Sequence, residues 1–147
     1  MEETYLASHW ELLHTLRAAL RTERGVRLAV LFGSTAAGED DRSSDVDLLV
    51  IHRTPALRAL AGLKIRLRAA LGRPVDVVGM EQAETMPTLL ADIVREGRVL
   101  VDRDGLWDGL LERRAEIFAS AARDEQATAR RARETVVAAR ERIAAAS

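Results

Sequence analysis

Residues 33–50 read GSTAAGEDDRSSDVDLLV. The stretch joins two apolar runs, VRLAVLF at 26–32 and VDLLVIH at 46–52, and it sets Asp45 and Asp47 at the mouth of the second. Each run reads as a β-strand, and apolar residues at successive positions imply burial on both faces. A carboxylate drawn into such a strand without a partner is costly. Side chains at i and i+2 of a strand share a face, so Asp45 and Asp47 project side by side. Their repulsion pushes a proton back onto one of them unless a cation meets the charge.

The chain has no cysteine and no histidine cluster, so paired carboxylates here are hard oxygen ligands, suited to Mg²⁺ or Mn²⁺ rather than zinc. Gly33 and Ser34 supply a complementary feature. Glycine permits close backbone approach, and a turn into a short helix at about Thr35 to Gly38 would aim N–H groups and the Ser34 hydroxyl at an anion. A later strand at 74–79, PVDVVG, carries a third carboxylate, Asp76. If it lies beside the 46–52 strand, Asp76 completes a three-carboxylate site. It then either binds metal or takes the proton from an attacking hydroxyl. Such a site suits in-line displacement at phosphorus, where positioning and charge neutralisation carry most of the catalysis.

Outward from this centre, Tyr5, Leu6, Trp10, Leu13, Leu16 and Leu20 recur at three- and four-residue spacing, which predicts an amphipathic helix from Thr4 to Leu20. A second helix is expected from Ala56 to Leu71, with Pro55 near its first turn and Gly72 as its stop. Pro87 opens a third that runs to about Glu96, Gly97 ends it, and RVLVD gives a fourth strand. From Leu106 onward the pattern is helical, with a break expected near Ala122 to Asp124. The order α-β-β-α-β-α-β-α indicates an α/β (α+β) domain, with flanking helices on a small mixed sheet of about four strands and a long C-terminal helix. The expected division is a domain over 1–105 and a helical extension over 106–147, packing on that domain or on a partner.

Composition narrows the function. With 147 residues the chain has the length of one ordinary domain. Twenty-two basic and 23 acidic residues leave a formal charge of -1, which makes a dominant nucleic-acid or membrane-surface role unlikely on electrostatic grounds. No basic segment followed by an apolar one opens the chain, and no run of about 18 apolar residues occurs, so a cytoplasmic protein without a membrane span is expected. Every basic residue but Lys64 is arginine, which with the many alanines reads as base composition.

Taken together, Gly33, Ser34, Gly38, Ser44, Asp45, Asp47, Leu48, Val50 and Asp76 form a pattern, GS, a short spacer, SDxDLxV, and a strand Asp about 30 residues later. It resembles the minimal nucleotidyltransferases (MNT) of the DNA polymerase β-like superfamily over roughly residues 20–105. The resemblance implies a nucleotidyltransferase fold and Mg²⁺-assisted (or Mn²⁺-assisted) transfer from ATP. By it, Gly33, Ser34 and Ser44 bind the triphosphate, Asp45 and Asp47 hold the metal, and Asp76 aligns or deprotonates the acceptor or joins the metal site. Short members resemble the antitoxins of HEPN/MNT toxin–antitoxin pairs, which implies an adenylyltransferase whose acceptor is a HEPN-type toxin. Many such members read GSxARG, whereas this chain has Ala37 at the Arg position. The alternatives are transfer to a small molecule of aminoglycoside type, with dimerisation building the acceptor pocket, and an antitoxin that masks its toxin without catalysis.

Other features have structural readings. His9 and His14, five apart, suit no shared metal; His52 ends its strand; Trp10 and Tyr5 are core candidates. Leu106, Trp107, Leu110, Ile117 and Phe118 are expected to cover the sheet. Glu39, Asp40 and Asp41 read as a solvated loop. Val136, Val137 and Ile143 make a thin apolar stripe, set beside Arg130, Arg131 and Arg133, that either stays solvated or docks on a partner.

Overall fold

The computed structural model describes residues 2–37 and 45–146, the side chains of residues 2–8, 34 and 37 apart. In chain order the elements are α1 (Glu2–Arg21), β1 (Val26–Phe32), α2 (Gly33–Ala37), β2 (Val46–His52), α3 (Leu57–Leu71) and β3 (Val75–Gly79). They are followed by α4 (Met80–Glu84), α5 (Pro87–Glu96), β4 (Arg98–Asp102), α6 (Leu106–Glu112) and α7 (Arg114–Ala146). The strands form one sheet in the order β3-β2-β1-β4. β1 runs antiparallel to both β2 and β4, while β2 and β3 are parallel, joined through the crossover helix α3. The sheet is therefore mixed, as expected.

Two apolar layers cover it. One joins Leu12, Leu16 and Leu20 of α1 and Leu63 and Leu67 of α3 to Val46, Leu48 and Val50 of β2. The other joins Leu90, Ile93 and Val94 of α5, Leu110 of α6 and Ile117 of α7 to Leu49 of β2. Strand alternation explains most of this partition, and β1 shows an interruption. Ala29 and Leu31 face the first layer and Leu28, Val30 and Phe32 the second, yet Val26 also joins the first layer although it lies two residues from Leu28. A register shift between Val26 and Leu28 reverses the phase there. With both faces covered, β1 and β2 carry the near-continuous apolar sequence that made them legible.

The helix ends follow their residues. Gly72 caps α3, its N–H donating to the Arg68 carbonyl at 2.8 Å, and Pro87 occupies the first turn of α5, where a missing N–H costs nothing. Asp102 begins α6 from outside, its carboxylate accepting the N–H groups of Leu106 and Trp107 at 3.0 and 3.2 Å.

Three expectations fail for definable reasons. The C-terminal helical region breaks at Arg113, not near Ala122 to Asp124, which lie inside α7. The Arg113 guanidinium pairs with Glu84 at 2.9 Å, and its N–H donates to the Leu110 carbonyl at 3.1 Å, closing α6 in a tight last turn. Trp10 is 71 % exposed. At 100° per residue it lies about 120° round α1 from buried Leu16, while Leu12 lies within about 40° and is buried in its stead. The five-residue α4 has no counterpart in the sequence reading, because one turn is too short to display a period. The expected sheet cover is present: Leu110 and Ile117 are buried, and Leu106, Trp107 and Phe118 pack against them. Among the described residues no helix is long and apolar enough to cross a membrane.

Candidate functional site

The acidic residues converge through strand pairing. In the parallel register Asp47 of β2 stands opposite Asp76 of β3, with Val46 opposite Val75 and Leu48 opposite Val77. Directly paired residues of a sheet project to the same side, about 4.8 Å apart at the backbone. Val46, Leu48, Val75 and Val77 turn to the α1/α3 layer, so Asp47 and Asp76 project from the opposite face. Asp45 shares that side, just before β2, and is exposed, whereas Asp47 is half-buried.

Asp47 bears the electrostatic strain. Burial raises its pKa above the ordinary aspartate range, and the neighbouring carboxylates of Asp76 and Asp45 raise it further. Two carboxylates thus act on Asp47, although among the described residues no three acidic or imidazole groups already close around a single point.

β1 delivers the next part. Phe32, its last residue, pairs with Asp47, and the chain turns at Gly33 into the single-turn helix α2. Gly33 has a φ of +77°, a conformation natural to glycine. A Cβ built there would lie 2.6 Å from Oδ2 of Asp47, so the glycine leaves the space the carboxylate occupies. α2 begins two residues earlier than the sequence suggested. Behind it, fully buried Thr35 donates its Oγ1 hydroxyl to the Asp45 carbonyl at 3.2 Å and ties α2 to the entrance of β2.

Sequence reasoning passed over Thr35 and Lys64. Thr35 offered one faint signal, a branched polar residue among small ones. Lys64, on α3, donates from Nζ to Oδ1 of Asp76 at 3.3 Å, and its signal was its singularity among 22 basic residues. Ser44, Gly38, Glu39, Asp40 and Asp41 lie outside the described residues, as do the side chains of Ser34, Ala37 and Tyr5.

Two of the three histidines lie on α1 and the third ends β2. His14 is exposed and His9 half-buried on α1, and Nδ1 of His52 accepts the Thr54 N–H at 2.9 Å beyond the far end of β2.

Known proteins resemble this chain in sequence and in fold. Residues 14–105 match the family described as polymerase β nucleotidyltransferase. A Methanocaldococcus jannaschii protein with the provisional name protein adenylyltransferase MJ0435 is 40 % identical over 57 residues, 38 % of this chain. The match spans 61 % of that relative's length. Among solved structures, a chain from a toxin–antitoxin crystal structure with AMP-PNP superposes with a TM-score of 0.67 at 24 % identity, over 82 % of this chain and 97 % of its own. A chain from the complex of a tri-AMPylated Shewanella oneidensis HEPN toxin with its MNT antitoxin gives a TM-score of 0.63 at 21 % identity, over 84 % and 98 %. These structural likenesses are likenesses of fold. The family match takes in the whole sheet and both strand-borne aspartates, and the chain belongs to the polymerase β nucleotidyltransferase family.

Proposed function

We propose that this chain is a divalent-cation-dependent adenylyltransferase that moves AMP from ATP to a hydroxyl group of a partner protein, the partner being a HEPN-type toxin. The observation that carries the reading is the register of Asp47 and Asp76 across β2 and β3, with Asp45 beside them and Gly33 packed against the Asp47 carboxylate. Family membership supports nucleotidyl transfer as the reaction class. The provisional name of the archaeal relative supports a protein acceptor, and the toxin–antitoxin complexes that share the fold support the partner.

The donor set fits a hard divalent cation. All its side-chain donors are carboxylate oxygens, and Asp47, desolvated beside two like charges, has no compensating positive group among the described residues. Mg²⁺ is commonly held by one or two carboxylates together with substrate phosphates, so a preformed three-carboxylate cage is not required. Asp45 and Asp47 would hold the cation, with Asp76 beside them. When bound, it neutralises phosphate charge and eases departure of pyrophosphate.

The chain's own part is positioning. Glycine at the start of α2 leaves backbone room for a phosphate beside the carboxylates, and Ser34 and Ser44 are the hydroxyls that the family resemblance assigns to it. Asp76, on the edge strand and half-exposed, faces an acceptor arriving from outside and accepts its proton as the acceptor oxygen attacks the α-phosphorus. The bond to the bridging oxygen breaks, pyrophosphate leaves, and AMP remains on the acceptor. The sheet holds these groups on rigid strands, where small displacements are costly.

The test is direct. The chain is incubated with its co-encoded partner, ATP and Mg²⁺, and intact mass spectrometry of the partner is expected to show the addition of AMP, absent with Asp47→Asn. No adduct, with toxicity still neutralised by an Asp45→Ala/Asp47→Ala double variant, would replace catalysis by masking.

A further inference from the structure

Lys64 is the only lysine in the chain, the remaining 21 of its 22 basic side chains being arginine. It follows buried Leu63 on α3, and its Nζ meets Oδ1 of Asp76 at 3.3 Å. The side chains are 36 % and 51 % exposed. Ion pairs so open to water contribute little to stability, so the fold does not need this one.

The contrast with three of the arginine pairs is informative, a fourth, Arg95 with Asp92, meeting a single oxygen. Arg27 takes both carboxylate oxygens of Asp104, Arg66 both of Glu23, and Arg113 both of Glu84. Those forks leave the carboxylates fully engaged. Lys64 is a point charge on a flexible stem, and it engages one oxygen of Asp76 while leaving Oδ2 to other partners. Asp76 is also the only one of the three site aspartates with a cationic side-chain partner among the described residues.

We infer that Lys64 is a positioning residue for Asp76, a resident counter-charge that orients the carboxylate through Oδ1 and competes with a divalent cation for it. The inference rests on the proposed cation site of Asp45 and Asp47, and adds Asp76 to it when neither nucleotide nor acceptor is bound. The lysine lowers the cation affinity of the empty site, so that tight occupancy awaits the added negative charge of a bound triphosphate. An arginine at 64 would close both oxygens and hold Asp76 out of the site. An uncharged side chain would leave three carboxylates unscreened and draw the cation in without nucleotide.

The test is Mn²⁺ binding to the full chain without nucleotide, read from the electron paramagnetic resonance signal of free Mn²⁺. Lys64→Met is expected to bind Mn²⁺ about three- to tenfold more tightly than wild type, as removal of one charge at this range implies. Lys64→Arg is expected to bind more weakly than wild type. Lys64→Gln provides the same charge removal if the methionine variant melts early. Unchanged or weaker binding by the neutral variants, with Asp47→Asn still abolishing it, would overturn the role of Lys64 and leave the acidic site standing. Absence of Mn²⁺ binding by wild type would overturn both.

Discussion

Asp47 and Asp76 stand side by side across the parallel strands β2 and β3, each flanked along its own strand by residues that turn to the opposite apolar layer. The fold therefore holds two carboxylates together at its own expense.

That expense has a sign. The pKa of Asp47 lies above its ordinary value, so between the two values the folded chain binds more protons than the unfolded one. Stability is then highest below the ordinary aspartate pKa and falls as pH rises through the raised one. Asp47→Asn is expected to raise the melting temperature at pH 7, in the absence of divalent cation, by about 1–4 °C. The gain should shrink towards zero as pH falls below the ordinary aspartate pKa, where the group is protonated in both the folded and the unfolded chain. Calorimetry across that range checks it, and equal melting at pH 7 would remove Asp47 as a strained group.

Adding Mg²⁺ should stabilise wild type by ligand linkage, by roughly 1–3 kcal/mol at concentrations well above the dissociation constant. Asp47→Asn should lose most of that gain. A thermal-shift titration read for both proteins decides the matter, and an equal response would place the cation elsewhere.

Gly33→Ala puts a methyl group where the Asp47 carboxylate lies and forces a side chain into a left-handed backbone. The backbone term alone costs about 1–2 kcal/mol. Denaturant unfolding should show that loss, and Mn²⁺ affinity should fall together with AMP transfer. Gly97→Ala provides the contrast. Its Cβ would meet Val30 at 2.6 Å and the Ile93 carbonyl as well, with no carboxylate among its three nearest atoms. It should destabilise the fold by about 1–3 kcal/mol and leave Mn²⁺ affinity at low temperature unchanged.

The two halves of α7 should respond differently. Ile117 is buried against α5, so Ile117→Ala should cost about 2–4 kcal/mol. Val136 and Val137 are half-exposed, and a Val136→Asp/Val137→Asp pair should shift stability by no more than about 0.5 kcal/mol per site. If this part of the helix docks on the partner, the same pair abolishes co-purification of the two proteins while the melting temperature stays put. Undiminished co-purification would leave it a solvated extension.

What the sequence determined by itself is what contiguous residues can encode. The near-continuous apolar runs of β1 and β2, the helical period of α3 and α5, and the stops at Gly72 and Gly97 are properties of neighbours along the chain. So is the shared side of Asp45 and Asp47, which follows from their i, i+2 spacing. Even there the period could mislead, since Trp10 keeps helical spacing while its helix buries a different face. Only the tertiary structure decided that Asp76 stands opposite Asp47. A parallel pair joined through a crossover helix has no tight turn from which to count register, so the alignment is set by the packing of α3 between the strands. The same packing brings Lys64 to Asp76 from twelve residues away, and Thr35 to the Asp45 carbonyl from ten. Contacts of that kind leave no periodic trace, because each depends on where a surface falls after the core has formed.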